Sequence, residues 1–98
     1  MPKAKTALQL TPSQIDGVVK ALRDRPGDHI SRGRGGDGYA CRDGVFFDIS
    51  VEEDLYSDGA FADEAAFRQH LEGLDLHDWI RHRSRRAVIE DLLGTRLL

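Results

Sequence analysis

The sequence predicts a small α+β domain: an N-terminal helix, a three-stranded antiparallel meander, then two or three C-terminal helices packed on one sheet face. Three observations predict it. Leu10 to Asp24 carries helix start signals and a helical apolar face. Gly38 to Val51, reading GYACRDGVFFDISV, is the densest apolar run and has a turn signal at Asp43-Gly44. Beyond Ala62 the apolar residues return to helical spacing. A length of 98 residues fits one domain, expected as a disordered tail over 1–9 and a compact unit over 10–98.

The first helix has a full set of start signals. Thr11 suits the N-cap, Pro12 the first helical turn, and Gln14 completes a capping box. Leu10 and Ile15 occupy the positions of a hydrophobic staple. Ile15, Val18, Val19 and Leu22 make one apolar face, and Arg25-Pro26-Gly27-Asp28 ends the helix in a turn. Gly17, inside the helix, weakens it by about 1 kcal/mol relative to alanine.

His29 to Arg32 is a short strand with Gly38 to Arg42 as its partner. Between them lies RGRGGDG, in which Gly33, Gly35 and Gly38 have the spacing of a dinucleotide-binding loop. That motif must open a helix, whereas a strand follows here, so a hairpin loop is the expectation.

The next hairpin admits two registers. A two-residue turn at Asp43-Gly44 pairs Arg42 with Val45 and turns Phe46 toward Tyr39 and Cys41. A three-residue loop, Arg42 to Gly44, pairs Cys41 with Val45 and Tyr39 with Phe47. The second gathers Tyr39, Cys41, Val45, Phe47, Ile49 and Val51 on one face and is the expectation, with Phe46, Asp48 and Ser50 outward.

Glu52 to Ala62 reads as an acidic connection pinned by Leu55, Tyr56 and Phe61. Placing Gly59 at the sixth position of a calcium loop puts Ala65 where the bidentate glutamate must stand, so no EF-hand is expected. Asp63 to Glu72 is the second helix, capped by Asp63 and stopped by Gly73. Asp75 is expected to cap a third helix from Leu76. Over residues 76–93 the stripe of Leu76, Trp79 and Ile80 lies roughly 180–200° from that of Val88, Ile89, Leu92 and Leu93. A break near Arg83-Ser84 folds the second stripe back and favours a monomer, whereas an unbroken helix presents it to a homodimer partner.

Charge is segregated. Residues 1–42 carry a net +4, residues 43–67 eight acids and no base, and residues 68–98 a net +1. Cys41 is the single cysteine, which excludes an intramolecular disulfide, and it lies on the expected core face rather than at a nucleophile's site. No apolar run has membrane-spanning length and the N-terminus lacks a secretory core, so the expectation is a cytoplasmic protein with no membrane partner. His29, His70, His77 and His82 have no ligand-like spacing; no catalytic residue, metal or cofactor is expected.

What remains is binding. The expected function is a small non-enzymatic protein-binding module. It would be a regulator or inhibitor whose acidic face, residues 43–64, docks on a basic, nucleic-acid-handling surface of a partner protein. Glu52, Glu53, Asp54 and Asp58 carry that face. The alternative is weak, sequence-nonspecific nucleic-acid binding through Arg32, Arg34, Arg81, Arg83, Arg85 and Arg86.

Overall fold

The first helix, α1 (Pro12–Asp24), starts where the Thr11 signals place it. Gln14 N–H donates to Thr11 Oγ1 at 3.1 Å and Thr11 N–H to Gln14 Oε1 at 2.8 Å, closing the capping box. The computed structural model describes residues 8–31, 37–52, 55–78 and 83–97, and for residues 50–52 and 55–58 the backbone alone. After α1 come β1 (Gly27–Ile30), β2 (Gly38–Arg42), β3 (Val45–Glu52), β4 (Leu55–Ala60), α2 (Glu64–Glu72) and α3 (Arg83–Leu93). The strands form one antiparallel sheet in the order β1-β2-β3-β4. The meander therefore has four strands, not three. The stretch expected as an acidic connection is β4, in register with β3 from Phe47↔Ala60 to Glu52↔Leu55.

The β2–β3 hairpin takes the register that the apolar count disfavoured. Arg42 pairs with Val45, Cys41 with Phe46, Ala40 with Phe47 and Tyr39 with Asp48. Asp43 and Gly44 form a two-residue turn with φ of 51° and 79°. Both are left-handed, and a turn of that hand matches the right-handed twist of the flanking strands. Parity then moves Phe46 to the face of Tyr39 and Cys41, with all three buried. Phe47 is half-buried and Val45 is 39% exposed on the other face. Ile49 is fully buried, as expected, but on this other face rather than with Tyr39 and Cys41, and Asp48 points to the helix face rather than outward.

All three helices pack on the Tyr39–Cys41–Phe46 face. Ile15, Val18, Val19 and Leu22 of α1, Phe67 and Leu71 of α2, and Val88, Ile89 and Leu92 of α3 share one core cluster with those residues. Phe67 is its hub: its ring stacks on Phe46 at 4.6 Å and meets Tyr39 edge-on at 5.5 Å. At Gly17 a Cβ would stand 2.8 Å from Leu93 Cδ2. The glycine that lowers helix propensity thus lets α3 approach α1. Ion pairs fasten α1 to α2, where Arg68 reaches Asp16 at 2.5 Å and Glu64 at 2.9 Å, and Arg23 also pairs with Glu64.

α2 has its expected cap, with Ala66 N–H donating to Asp63 Oδ1 at 2.8 Å and Gly73 ending it. Leu76 and His77, where the third helix is expected to begin, form a turn instead. Asp75 Oδ1 accepts from His77 N–H at 3.0 Å and from Leu8 N–H at 3.1 Å, so it closes a turn and ties down the chain entering α1. Leu76 N–H in turn donates to the Leu8 carbonyl at 2.8 Å. Leu8 and Gln9, assigned to the tail from sequence, thus hold defined partners. Trp79 and Ile80 of the first apolar stripe lie outside the described residues, as does the glycine loop from Arg32 to Gly36. The second stripe folds back: Val88, Ile89 and Leu92 are buried in this chain's own core and Leu93 packs against it, so they are not an open surface for a second copy. Among the described residues no helix is long and apolar enough to cross a membrane.

The register generates a paired prediction. Phe46→Ala should cost ~3–5 kcal/mol, as expected for truncating a fully buried phenylalanine. Phe47→Ala, at a half-buried position, should cost less than half as much. Urea midpoints of the two variants check the order, which the three-residue loop would reverse.

Candidate functional site

Two of the four acidic residues singled out from sequence, Glu52 and Asp58, lie on the paired strands β3 and β4. Glu52 ends β3 and pairs with Leu55, and Asp58 of β4 pairs with Ile49. Glu53 and Asp54, the two residues between Glu52 and Leu55, lie outside the described residues. The other acids of residues 43–67 have separate work. Asp43 forms the β2–β3 turn, Asp63 caps α2, and Glu64 holds Arg23 and Arg68. Arg68 leads in holding the Glu64 carboxyl below the usual glutamate range.

Asp48 is withdrawn from the acidic face altogether. It sits across from Tyr39 on the helix side of the sheet, and Arg85 of α3 reaches it there. Arg85 Nη2 donates to both Asp48 oxygens at 3.2 and 3.3 Å, and Nη1 lies 3.5 Å from Asp37 Oδ2. Desolvation opposes the guanidinium charge, but Tyr39, Asp48 and Asp37 outweigh it and hold Arg85 above the ordinary arginine range. Its Nε is buried with no hydrogen-bond acceptor. The Tyr39 hydroxyl lies 2.8 Å from His70 Nε2 of α2, which completes a polar chain from α2 through β2 to α3. Burial pushes the Tyr39 phenol far above its usual range, against the pull of Arg85.

The basic run divides in the same way. Arg85 is drawn into the polar chain, and Arg86, buried, donates to the Leu76 carbonyl at 3.2 Å. Arg83 is exposed at the start of α3. Arg32, Arg34 and Arg81 lie outside the described residues. Two of the six arginines assigned to nucleic-acid binding therefore brace α3 from inside.

Cys41 is buried in the apolar cluster. Among the described residues no three or more His, Cys, Asp or Glu side chains gather to hold a metal ion. The polar chain of Tyr39, Arg85, Asp48 and Asp37 was not legible in the sequence, because its members are spread from residue 37 to residue 85. The one signal was the conflict at Arg85, a cation in the first turn of a helix whose dipole disfavours it. The carboxylates of Asp48 and Asp37 resolve that conflict. Comparisons with protein-family models, curated proteins and solved structures return no match.

Two expected outcomes follow. In a double-mutant cycle, Arg85→Ala and Asp48→Ala should show a coupling energy of ~0.5–3 kcal/mol, measured by denaturant unfolding. Independent effects would remove the pair as a structural element. The Tyr39 phenol, raised in the folded chain, adds stability that is fully present below the ordinary phenol value of about 10 and is lost as pH rises above it. Unfolding free energy should fall above that pH more steeply in the native chain than in Tyr39→Phe.

Proposed function

We propose that this chain is a non-enzymatic protein-binding module that docks the acidic end of its β3–β4 hairpin on a basic surface of a partner protein. One observation carries the reading. Glu52 and Asp58 lie on the paired strands β3 and β4, in a stretch that has no lysine or arginine from 43 to 67. The remaining acids of that stretch serve a turn, a cap and internal ion pairs. Concentrated charge at an interface steers encounter and sets the sign of the partner's surface. A regulator or inhibitor that occludes a basic, nucleic-acid-handling surface fits that chemistry. The nucleic-acid alternative draws less support, since Arg85 and Arg86 face inward.

The test takes a partner recovered by affinity capture from the native host and measures association rates. The rate should fall as salt is added. Replacing Glu52, Glu53, Asp54 and Asp58 together by lysine should slow association by about 10-fold or more while leaving the thermal transition in place. A folded variant that associates at the native rate overturns the reading.

A further inference from the structure

We propose that the exposed turn Asp43-Gly44 is a site of spontaneous modification, where the aspartate isomerises to isoaspartate through a cyclic imide and so releases the register of the β2–β3 hairpin. The site lies at the opposite end of β3 from Glu52 and is independent of the binding role proposed above.

The chemistry needs an aspartate followed by a residue with no side chain to crowd the approach. The main-chain nitrogen of Gly44 attacks the Asp43 Cγ. A C–N bond forms as the carboxyl loses its hydroxyl group and the nitrogen its proton, so one water leaves. Water then adds back at the Asp43 carbonyl carbon and breaks its bond to nitrogen. The main chain afterwards runs through Cβ and Cγ, the α-carboxyl is free, and the mass is unchanged. Addition of water at Cγ instead restores aspartate.

The sequence holds four such steps: Asp16-Gly17, Asp37-Gly38, Asp43-Gly44 and Asp58-Gly59. Ring closure requires the peptide between the two residues to rotate until its nitrogen faces the carboxyl. Three of the four peptides are held. Gly17 lies inside α1, where its N–H belongs to the helical ladder, and the Asp16 carboxylate pairs with Arg68 at 2.5 Å. The Asp37 carbonyl accepts from Ser31 N–H at 3.2 Å, and its carboxylate lies 3.5 Å from Arg85. Gly59 pairs with Asp48 in the β3–β4 ladder. Phe61 N–H donates to the Phe46 carbonyl at 2.9 Å, and alternate residues of an antiparallel strand turn the same way, so Gly59 N–H also faces β3.

Asp43-Gly44 differs on each count. Both residues are exposed and lie between the strands rather than in them. Arg42 and Val45 are the pair that closes the hairpin. Among the described residues neither the Gly44 N–H nor the Asp43 carboxylate has a hydrogen-bond partner. Apart from its chain neighbours, no heavy atom stands within 4 Å of the place a Gly44 Cβ would take, so this peptide has room to rotate. The product carries one added methylene in the main chain of the turn. A two-residue turn matches the strand twist only at its own length. The lengthened turn therefore removes the constraint that puts Phe46 with Tyr39 and Cys41.

The test incubates the purified full chain at neutral pH, once folded and once in concentrated urea. Isoaspartate is mapped by peptide mass spectrometry with electron-transfer fragmentation. In urea the four sites should react alike. In the folded chain Asp43 should react about 10-fold or more faster than the other three, because each of those must first break a hydrogen bond or an ion pair. Asp43→Asn keeps a residue pair suited to this turn and should react faster still, since an amide is the better electrophile and ammonia leaves in place of water. The chain carrying isoaspartate at position 43 should unfold at lower urea and shift the amides of Val45, Phe46 and Phe47. A folded chain with no isoaspartate at Asp43, with another of the four sites ahead of it, or with the pattern seen in urea overturns the proposal. So does a modified chain whose urea midpoint equals the native one, or an Asp43→Asn chain that stays unmodified.

Discussion

Two left-handed residues control the interior of this protein. Asp43 and Gly44 close the β2–β3 hairpin with no residue to spare, and side-chain parity along both strands follows from that closure. One more residue in the turn would send Phe46 away from the helices and bring Val45 and Phe47 toward them. Phe67 of α2 would lose the ring on which it stacks. It would also move Asp48 to the far side of the sheet, out of reach of Arg85. Core and polar chain therefore depend on the same local turn.

The helix layer is held by more than apolar contact. Arg85 threads its guanidinium to Asp48 and Asp37 beside the Tyr39 phenol, and Arg25 Nη2 donates to the Leu92 carbonyl at 3.1 Å from the end of α1. These bonds orient α3 against the sheet at positions where aliphatic packing alone is non-directional. Partly buried charge of this kind contributes specificity of arrangement more readily than net stability. It also changes how the charge pattern reads. Cations and anions that form opposed blocks along the chain are partly matched in space, and the surface field is smaller than the segment totals suggest.

The two edges of the sheet are left with different characters. On one side the β3–β4 hairpin carries acidic residues in sequence and backbone position. On the other, β1 borders a groove with α3 as its second wall. The described helices pack on one face of the meander, so both edges of the sheet lie at the border of that core.

The capping boxes and stripes of α1 and α2 were legible in the sequence because their signals are local. Thr11 and Gln14, Asp63 and Gly73 act within a turn or two of themselves, and the stripe from Ile15 to Leu22 is buried as its spacing requires. Pairing of the first strand with Gly38 to Arg42 was legible for the same reason. The face of the central hairpin was not, because Val45, Phe46, Phe47 and Ile49 are apolar at both parities, and Phe46, Ala40 and Ile49 are buried although they occupy both faces. There the turn's match to strand twist outweighed the apolar count. β4 was hidden because Ser57, Asp58 and Gly59 have weak strand propensity and gain their place from pairing with β3. The fate of Arg85, Arg86 and Asp48 lay wholly in tertiary structure. A charged side chain reads as surface until a partner distant in sequence reaches it, and only the folded chain brings Asp37, Asp48 and Leu76 to those arginines.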